Sequence, residues 1–215
     1  MKKIVSPNEA ALLVKENSSI MIGGFLRCGS PYKTINELVK NKIGDLTLIA
    51  NDTSYPEYDR GLLISNKLVK KAIVSHIGTN PETVRQMNAG EIEVELIPMG
   101  TLVEKIRCGG AGLGGFLTQT GIGTIVEEGK QIIEQDGKKF LLETPLTADF
   151  AIVYASKADK FGNAFLDGTT RNFNTVMATA AQTVILEPEE FSDEPLDPAQ
   201  ITIPGVFIDY IALEK

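Results

Sequence analysis

The sequence predicts an α/β fold, a mainly parallel sheet flanked by helices. Three observations point there. Short apolar runs alternate with helical stretches at close spacing over the first half of the chain. Several of those runs end in glycine or polar residues, as strands feeding a ligand cleft do. In the second half, Asp136-Gly137 separates two alternating segments, which marks a β-hairpin inserted into that framework. The 215 residues show no repeat, low-complexity tract or clear linker, so one domain over 1–215 is the simplest organisation.

The elements follow in order. In "SPNEAALLVKEN", Ser6, Pro7 and Glu9 form a capping box ahead of an apolar stripe, a first helix that "KENS" closes at the surface. "SIMIGGF" is a buried strand running into a tight loop. Pro31 starts a helix in which Ile35, Leu38 and Val39 share a face. "DLTLIAND" is a strand, "EYDRGLLISN" a helix and "KKAIVSHIG" a strand. "NPETVRQMNAG" is a helix with Asn80 as cap and Gly90 as stop. "EIEVELIPM" alternates as a strand and "TLVEKIR" is helical. Further strands are expected at "DFAIVYASKAD", "GNAFLDG", "TVILEP" and "GVFIDYIAL", with a helix at "RNFNTVMATAAQ". The acidic, Pro-rich "EPEEFSDEPLDP" reads as a solvated surface loop. The ends of "SIMIGGF", "TLIAND" and "VELIPMG" should line one cleft.

Composition narrows the function. A net charge of −7 argues against nucleic acid as a partner but leaves a local anion site open. No run approaches a membrane span, and the N-terminal residues lack the apolar core of a signal peptide, so a cytoplasmic protein is expected. Cys28 and Cys108 read as reduced thiols, and with His76 as the single histidine a Cys/His zinc site has too few ligands, so no metal is expected.

"RCGGAGLGGFL" holds Gly110, Gly112 and Gly115 in the G-x-G-x-x-G spacing of a dinucleotide turn. Such a turn follows a strand and opens a helix; here a helical stretch precedes the glycines and none follows. "GGFLRCGSP" lacks the Gly-Lys-Ser/Thr of a phosphate loop. Both loops are open to two readings: tight turns alone, or backbone that approaches a ligand closely. Ser75-His76 is not a triad by adjacency, and His76 reads as a packing or turn residue. Asn51, at a strand end beside Asp52, either faces the cleft or forms an Asx-turn. The chain shows a glycine-rich cleft and no self-sufficient catalytic set, as expected if the nucleophile sits on another chain.

The stretch from Asn17 through Ile20, Met21, Ile22, Gly23, Gly24, Phe25, Gly29 and Pro31 resembles the first signature of the heteromeric coenzyme A-transferases, with Glu16 departing where Asp or Asn is usual. The resemblance continues through "LTLIAND", "SHIGTNPET", "GTLVEKIRCGGAGLGGFLTQTGIGT", "EGK" and "RNFN", nearly the whole chain. It is to the α subunit of the acetate/acetoacetate (3-oxoacid) type, and it implies a coenzyme A-transferase-like fold and a homologous β subunit, as α₂β₂. It further implies that the catalytic glutamate lies in a Ser-Glu-Asn-Gly motif on β, with no catalytic residue on this chain. Acyl-CoA and a short-chain carboxylic acid would be substrates, with no other cofactor. Gly23, Gly24 and Phe25 would border the site, Asn51 matches an active-site asparagine, and Gly110 and Gly112 would help shape the acyl and pantetheine channel. Met99, followed by Gly100, stands where relatives commonly carry a donor glutamine. A thioether cannot donate, so a backbone N–H covers that oxyanion, or the enzyme is slower, or it handles a different, longer acid, or the donor is not needed. A regulatory CoA- or metabolite-binding protein on the same scaffold is the alternative; a sugar-phosphate isomerase would need an acid/base set that the sequence does not offer.

Overall fold

In the computed structural model, which describes residues 1–214, the caps written in the sequence start the first elements. Strand β1 (Lys3–Val5) leads into helix α1 (Pro7–Leu13). There the Ser6 hydroxyl accepts from the Glu9 N–H, and the Glu9 carboxylate accepts from the Ser6 N–H at 2.7 Å. The chain continues through β2 (Ser19–Ile22), α2 (Tyr32–Lys40), β3 (Leu46–Ile49), α3 (Arg60–Ser65), β4 (Val69–Val74), α4 (Pro81–Asn88), β5 (Glu93–Leu96) and α5 (Met99–Gly110). Asn80 caps α4 through its side-chain oxygen, and Gly90 follows with φ +70°. The Asn80 amide also donates to the Thr53 carbonyl, so this cap ties α4 to the segment after β3.

The second half holds β6 (Phe116–Thr118), β7 (Ile132–Gln135), β8 (Lys138–Glu143), β9 (Ala148–Asp159), β10 (Ala164–Phe165), the short α6 (Asn174–Met177), β11 (Ala181–Ser192) and β12 (Tyr210–Ala212). The main sheet runs β1-β12-β11-β9-β2-β3-β4-β5, every neighbouring pair parallel, with β10 antiparallel to β9. From β2 the chain winds outward to β5; from β9 it winds the other way. The sequence order therefore reverses between β2 and β9, where a parallel sheet opens a crevice beyond its strand ends.

Alternate strand residues feed two apolar layers, as a two-residue side-chain period requires. Ile20, Ile22, Leu46, Leu48, Ala72 and Val74 pack with α1, α2 and α3 on one face. Met21, Ile49 and Ile73 face the other, with Leu102 and Ile106 of α5 and Met177 of α6. The expected hairpin is β7–β8: Asp136 and Gly137 both have positive φ, as a tight turn between twisted strands needs. β6 adds a third strand to it, an element the sequence reading did not include.

Four expectations change. "GNAFLDG" forms only the two-residue β10, and "RNFNTVMATAAQ" only the four-residue α6. The "GVF" of "GVFIDYIAL" is a 3₁₀ turn before β12. "EPEEFSDEPLDP" is not a solvated loop in its first half: β11 continues through Glu187 to Ser192 alongside β9. Pro188 is tolerated there because β12 pairs with β11 only at Ile185 and Leu186, which leaves that edge open beyond them. Glu187 is buried, and its carboxylate accepts from the Lys33 and Thr34 N–H groups and the Thr34 hydroxyl. It caps α2 from across the fold, where Pro31 supplies no side-chain cap.

Candidate functional site

The ends of β2, β3 and β4 and the start of α5 enclose a pocket of about 300 Å³, lined by Phe25, Leu26, Asn51, Asp52, Ser75, His76, Thr79 and Met99. The expected shared cleft at the strand ends is this pocket. It gathers Phe25, Asn51 and Met99 from three separate stretches of sequence, with Gly23 and Gly24 in the loop that delivers Phe25.

That loop is clamped from two sides. On one, the Arg60 guanidinium, fully buried, donates to the carbonyls of Gly23, Leu26 and Asp52. On the other, the Asn172 side chain accepts from the Gly24 N–H and donates to the Cys28 carbonyl. Asn174 donates to the Gly29 carbonyl and accepts from the Tyr154 N–H. The glycines are the space these side chains occupy. A Cβ on Gly23 would lie 1.8 Å from Asn174 Oδ1, and one on Gly24, at φ +115°, would lie 2.7 Å from the Arg60 guanidinium. The N–H groups of Gly23, Gly24, Phe25 and Leu26 all donate within the protein, to Ile152 O, Asn172 Oδ1, Cys28 O and Asp52 Oδ2. This loop approaches the pocket closely but keeps those N–H groups for itself.

Asp52 is the pocket's one carboxylate, and it is fully committed. Its oxygens accept from the Leu26 N–H, the Asn51 amide, the Ser54 N–H and Arg60, the last at 2.9 Å. Burial pushes its pKa up, but the Arg60 charge and these hydrogen bonds outweigh burial and hold the carboxyl below its ordinary range. Asn51 is buried between Asp52 and Ser75, whose hydroxyl donates to the Asn51 side-chain oxygen and its carbonyl. Ser75 therefore does not face His76 as a dyad.

α5 begins at the pocket. Its first intrahelical bond is Leu102 N–H to Pro98 O, so the N–H groups of Met99, Gly100 and Thr101 precede the helical ladder, and Pro98 supplies no side-chain cap. Met99 and Phe25 are 42 % and 41 % exposed, two large apolar side chains at the mouth of one pocket. Gly100 faces open space.

Gly110 and Gly112 lie elsewhere. Gly110 sits in the last turn of α5, about 16 Å along the helix from Met99 at the usual rise. A Cβ there would lie 2.2 Å from Thr179 Oγ1, so this glycine permits close packing of α5. Gly112, at φ +67°, is in the turn that follows. A helix precedes these glycines and strand β6 follows, which is not the strand-turn-helix of a dinucleotide site.

Arg60 and the pair Asn172/Asn174 carry the site without having drawn attention in the sequence as site residues. An arginine in an apolar helical stretch, "DRGLLIS", was the available sign for Arg60. His76, read from sequence as a packing or turn residue, is an exposed residue that lines the pocket. Among the described residues no three of His, Cys, Asp and Glu converge to hold a metal, and no helix is long and apolar enough to cross a membrane.

Comparison with known proteins places this site in context. The family model described as coenzyme A transferase matches residues 4–214. The acetoacetyl-CoA:acetate/butyrate CoA transferase alpha subunit of Clostridium acetobutylicum is 52% identical over 213 residues, covering 99% of this chain and 98% of its own. The acetate CoA-transferase subunit alpha of Escherichia coli K12 is 48% identical, covering 99% and 97%. An acyl-CoA transferase from Escherichia coli O157:H7, solved as a thioester complex with CoA, superposes with a TM-score of 0.87 at 20% identity. It covers 99% of this chain and 47% of its own, so this chain spans about half the length of that one, and the likeness is one of fold.

Proposed function

The chain belongs to the coenzyme A transferase family as an α subunit, and from that premise we propose that it supplies half of an active site that moves CoA between short-chain acyl groups by ping-pong transfer. The acids would be of the acetate, acetoacetate and butyrate kind, as the names of its relatives suggest. The observation that carries this reading is a pocket whose single carboxylate, Asp52, has both oxygens bonded and its charge paired with Arg60. Such a group is a poor nucleophile, and Ser75 has no base. The pocket is built to hold an acyl group and not to attack it.

The attack would then come from a glutamate on a homologous β subunit. Its carboxylate adds to the thioester carbonyl, the C–S bond breaks, and CoA leaves as a thiolate from an acyl-glutamyl anhydride. The thiolate attacks the glutamyl carbonyl, releases the first acid, and leaves a glutamyl-CoA thioester. The second acid takes CoA by the reverse steps. One thioester replaces another, so the reaction needs neither ATP nor a metal.

The anhydride hydrolyses in water, so the site must close. The exposed Phe25 and Met99 side chains are the surface that a partner would cover in doing so. The negative charge developing on each tetrahedral oxygen needs donors. The loop of residues 23–26 has none to spare. The free N–H groups at the start of α5 are the alternative to the glutamine amide that Met99 lacks.

The test is to pull the chain from its native lysate with its partner and assay exchange between acetoacetyl-CoA and acetate. The expected result is a partner of similar size carrying Ser-Glu-Asn-Gly, with turnover only in the mixture. A chain that elutes alone and binds CoA unchanged would overturn the reading and leave a regulatory CoA-binding protein.

A further inference from the structure

The proposed reaction leaves one pocket side chain unused. Of the polar groups lining the pocket, Asp52 and Asn51 are bonded as described, the Ser75 hydroxyl donates to Asn51, and the Thr79 hydroxyl donates to the Ser54 carbonyl at 3.0 Å. The His76 imidazole has no hydrogen-bond partner among the described residues. Its backbone is fixed, because Asp52 and His76 continue the parallel pairing of β3 with β4 by one bridge. Its ring lies beside Gly78, where an added Cβ would come within 3.0 Å of Cε1 and 3.2 Å of Nε2. The imidazole therefore lines the pocket from a fixed stretch of backbone, with its ring nitrogens unbonded among the described residues.

We propose that His76 selects acyl groups that carry an oxygen at C3. The imidazole N–H donates to the 3-oxo group of a 3-oxoacyl thioester, while Phe25, Leu26 and Met99 hold the carbon chain. The inference rests on the transferase reading above and deepens it. An imidazole offers at least one N–H in either protonation state, and a ketone oxygen only accepts, so the pair is matched whether or not the ring is charged. A saturated chain still fits the apolar lining but leaves the donor without a partner. One such hydrogen bond corresponds to a preference of about tenfold.

The experiment uses the enzyme assembled with its partner. kcat/KM is measured for acetoacetyl-CoA and for butyryl-CoA, with acetate as acceptor, in the wild type, His76→Phe and His76→Gln. Phenylalanine keeps a ring and removes the donor; glutamine keeps a donor. The expected result is that His76→Phe lowers the acetoacetyl/butyryl ratio about tenfold and His76→Gln restores part of it. A ratio unchanged in His76→Phe would overturn the proposal while wild-type turnover left the transferase reading standing. If His76→Phe does not assemble, His76→Leu takes its place: a ratio about tenfold below wild type that His76→Gln partly restores upholds the proposal, and a ratio in His76→Leu equal to that of wild type overturns it. Absence of turnover in the wild type with either thioester would bring down the transferase reading and this inference with it.

Discussion

Gly23 and Gly100 are both glycines assigned to the site by motif, and the structure gives them opposite physics. Gly23 is where Asn174 passes, and a methyl group there has nowhere to go. Gly100 has nothing within 4 Å of its missing Cβ. Gly23→Ala should therefore lose about 1–3 kcal/mol by overpacking, together with transferase activity, because the loop carrying Phe25 must shift. Gly100→Ala should leave stability within about 0.5 kcal/mol. Urea unfolding of both variants checks the contrast. Equal stability of the two would mean that the Asn174 clamp is not what the glycine serves. Phe25 and Met99 were singled out through the family resemblance and Asn51 also by its place at a strand end, and the structure brings the three to one pocket. Arg60, Asn172 and Asn174 were not, because the carbonyls of the loop after β2 that they hold are more than 30 residues away in sequence.

At the scale of elements, capped helices and alternating strands up to α5 read directly from sequence, because their signals are local: Ser6 with Glu9, Asn80 with the N–H groups of Glu82 and Thr83, Asp136 before Gly137. β11 did not, because its acidic half is paired only through tertiary contact with β9, and its Glu187 serves a helix end contributed by distant sequence. The loop after β2 is an element of this second kind, and its lock has a pH signature. The Asp52 carboxyl is held below its ordinary pKa in the folded protein, so its contribution to stability is complete above the unfolded value of about 3.9 and is lost as pH falls through the folded value. Asp52→Asn removes the charge partner of a buried arginine, at a cost of about 3 kcal/mol near neutrality. The gap in unfolding free energy between wild type and Asp52→Asn should hold steady above about pH 5 and shrink below about pH 4. A gap that stays constant into acid would show that the Asp52 charge does not lock the loop.

Across the whole molecule, the strand order reverses between the parallel neighbours β2 and β9, and the residues that follow β2, β3 and β4 meet α5 at one pocket. The far end of α5 packs against Thr179 at Gly110 instead, with Gly112 in the turn beyond it. The proposed transfer requires the acyl group to sit at the near end of α5. Amide hydrogen exchange of the assembled enzyme, with and without an acyl-CoA, would locate it. The expected result is slowed exchange at residues 75–79 and 99–102 beside the pocket, with no equal change at 109–115. Slowed exchange confined to 109–115, with the pocket segments unchanged, would contradict it and move the acyl site to the glycine-rich turn.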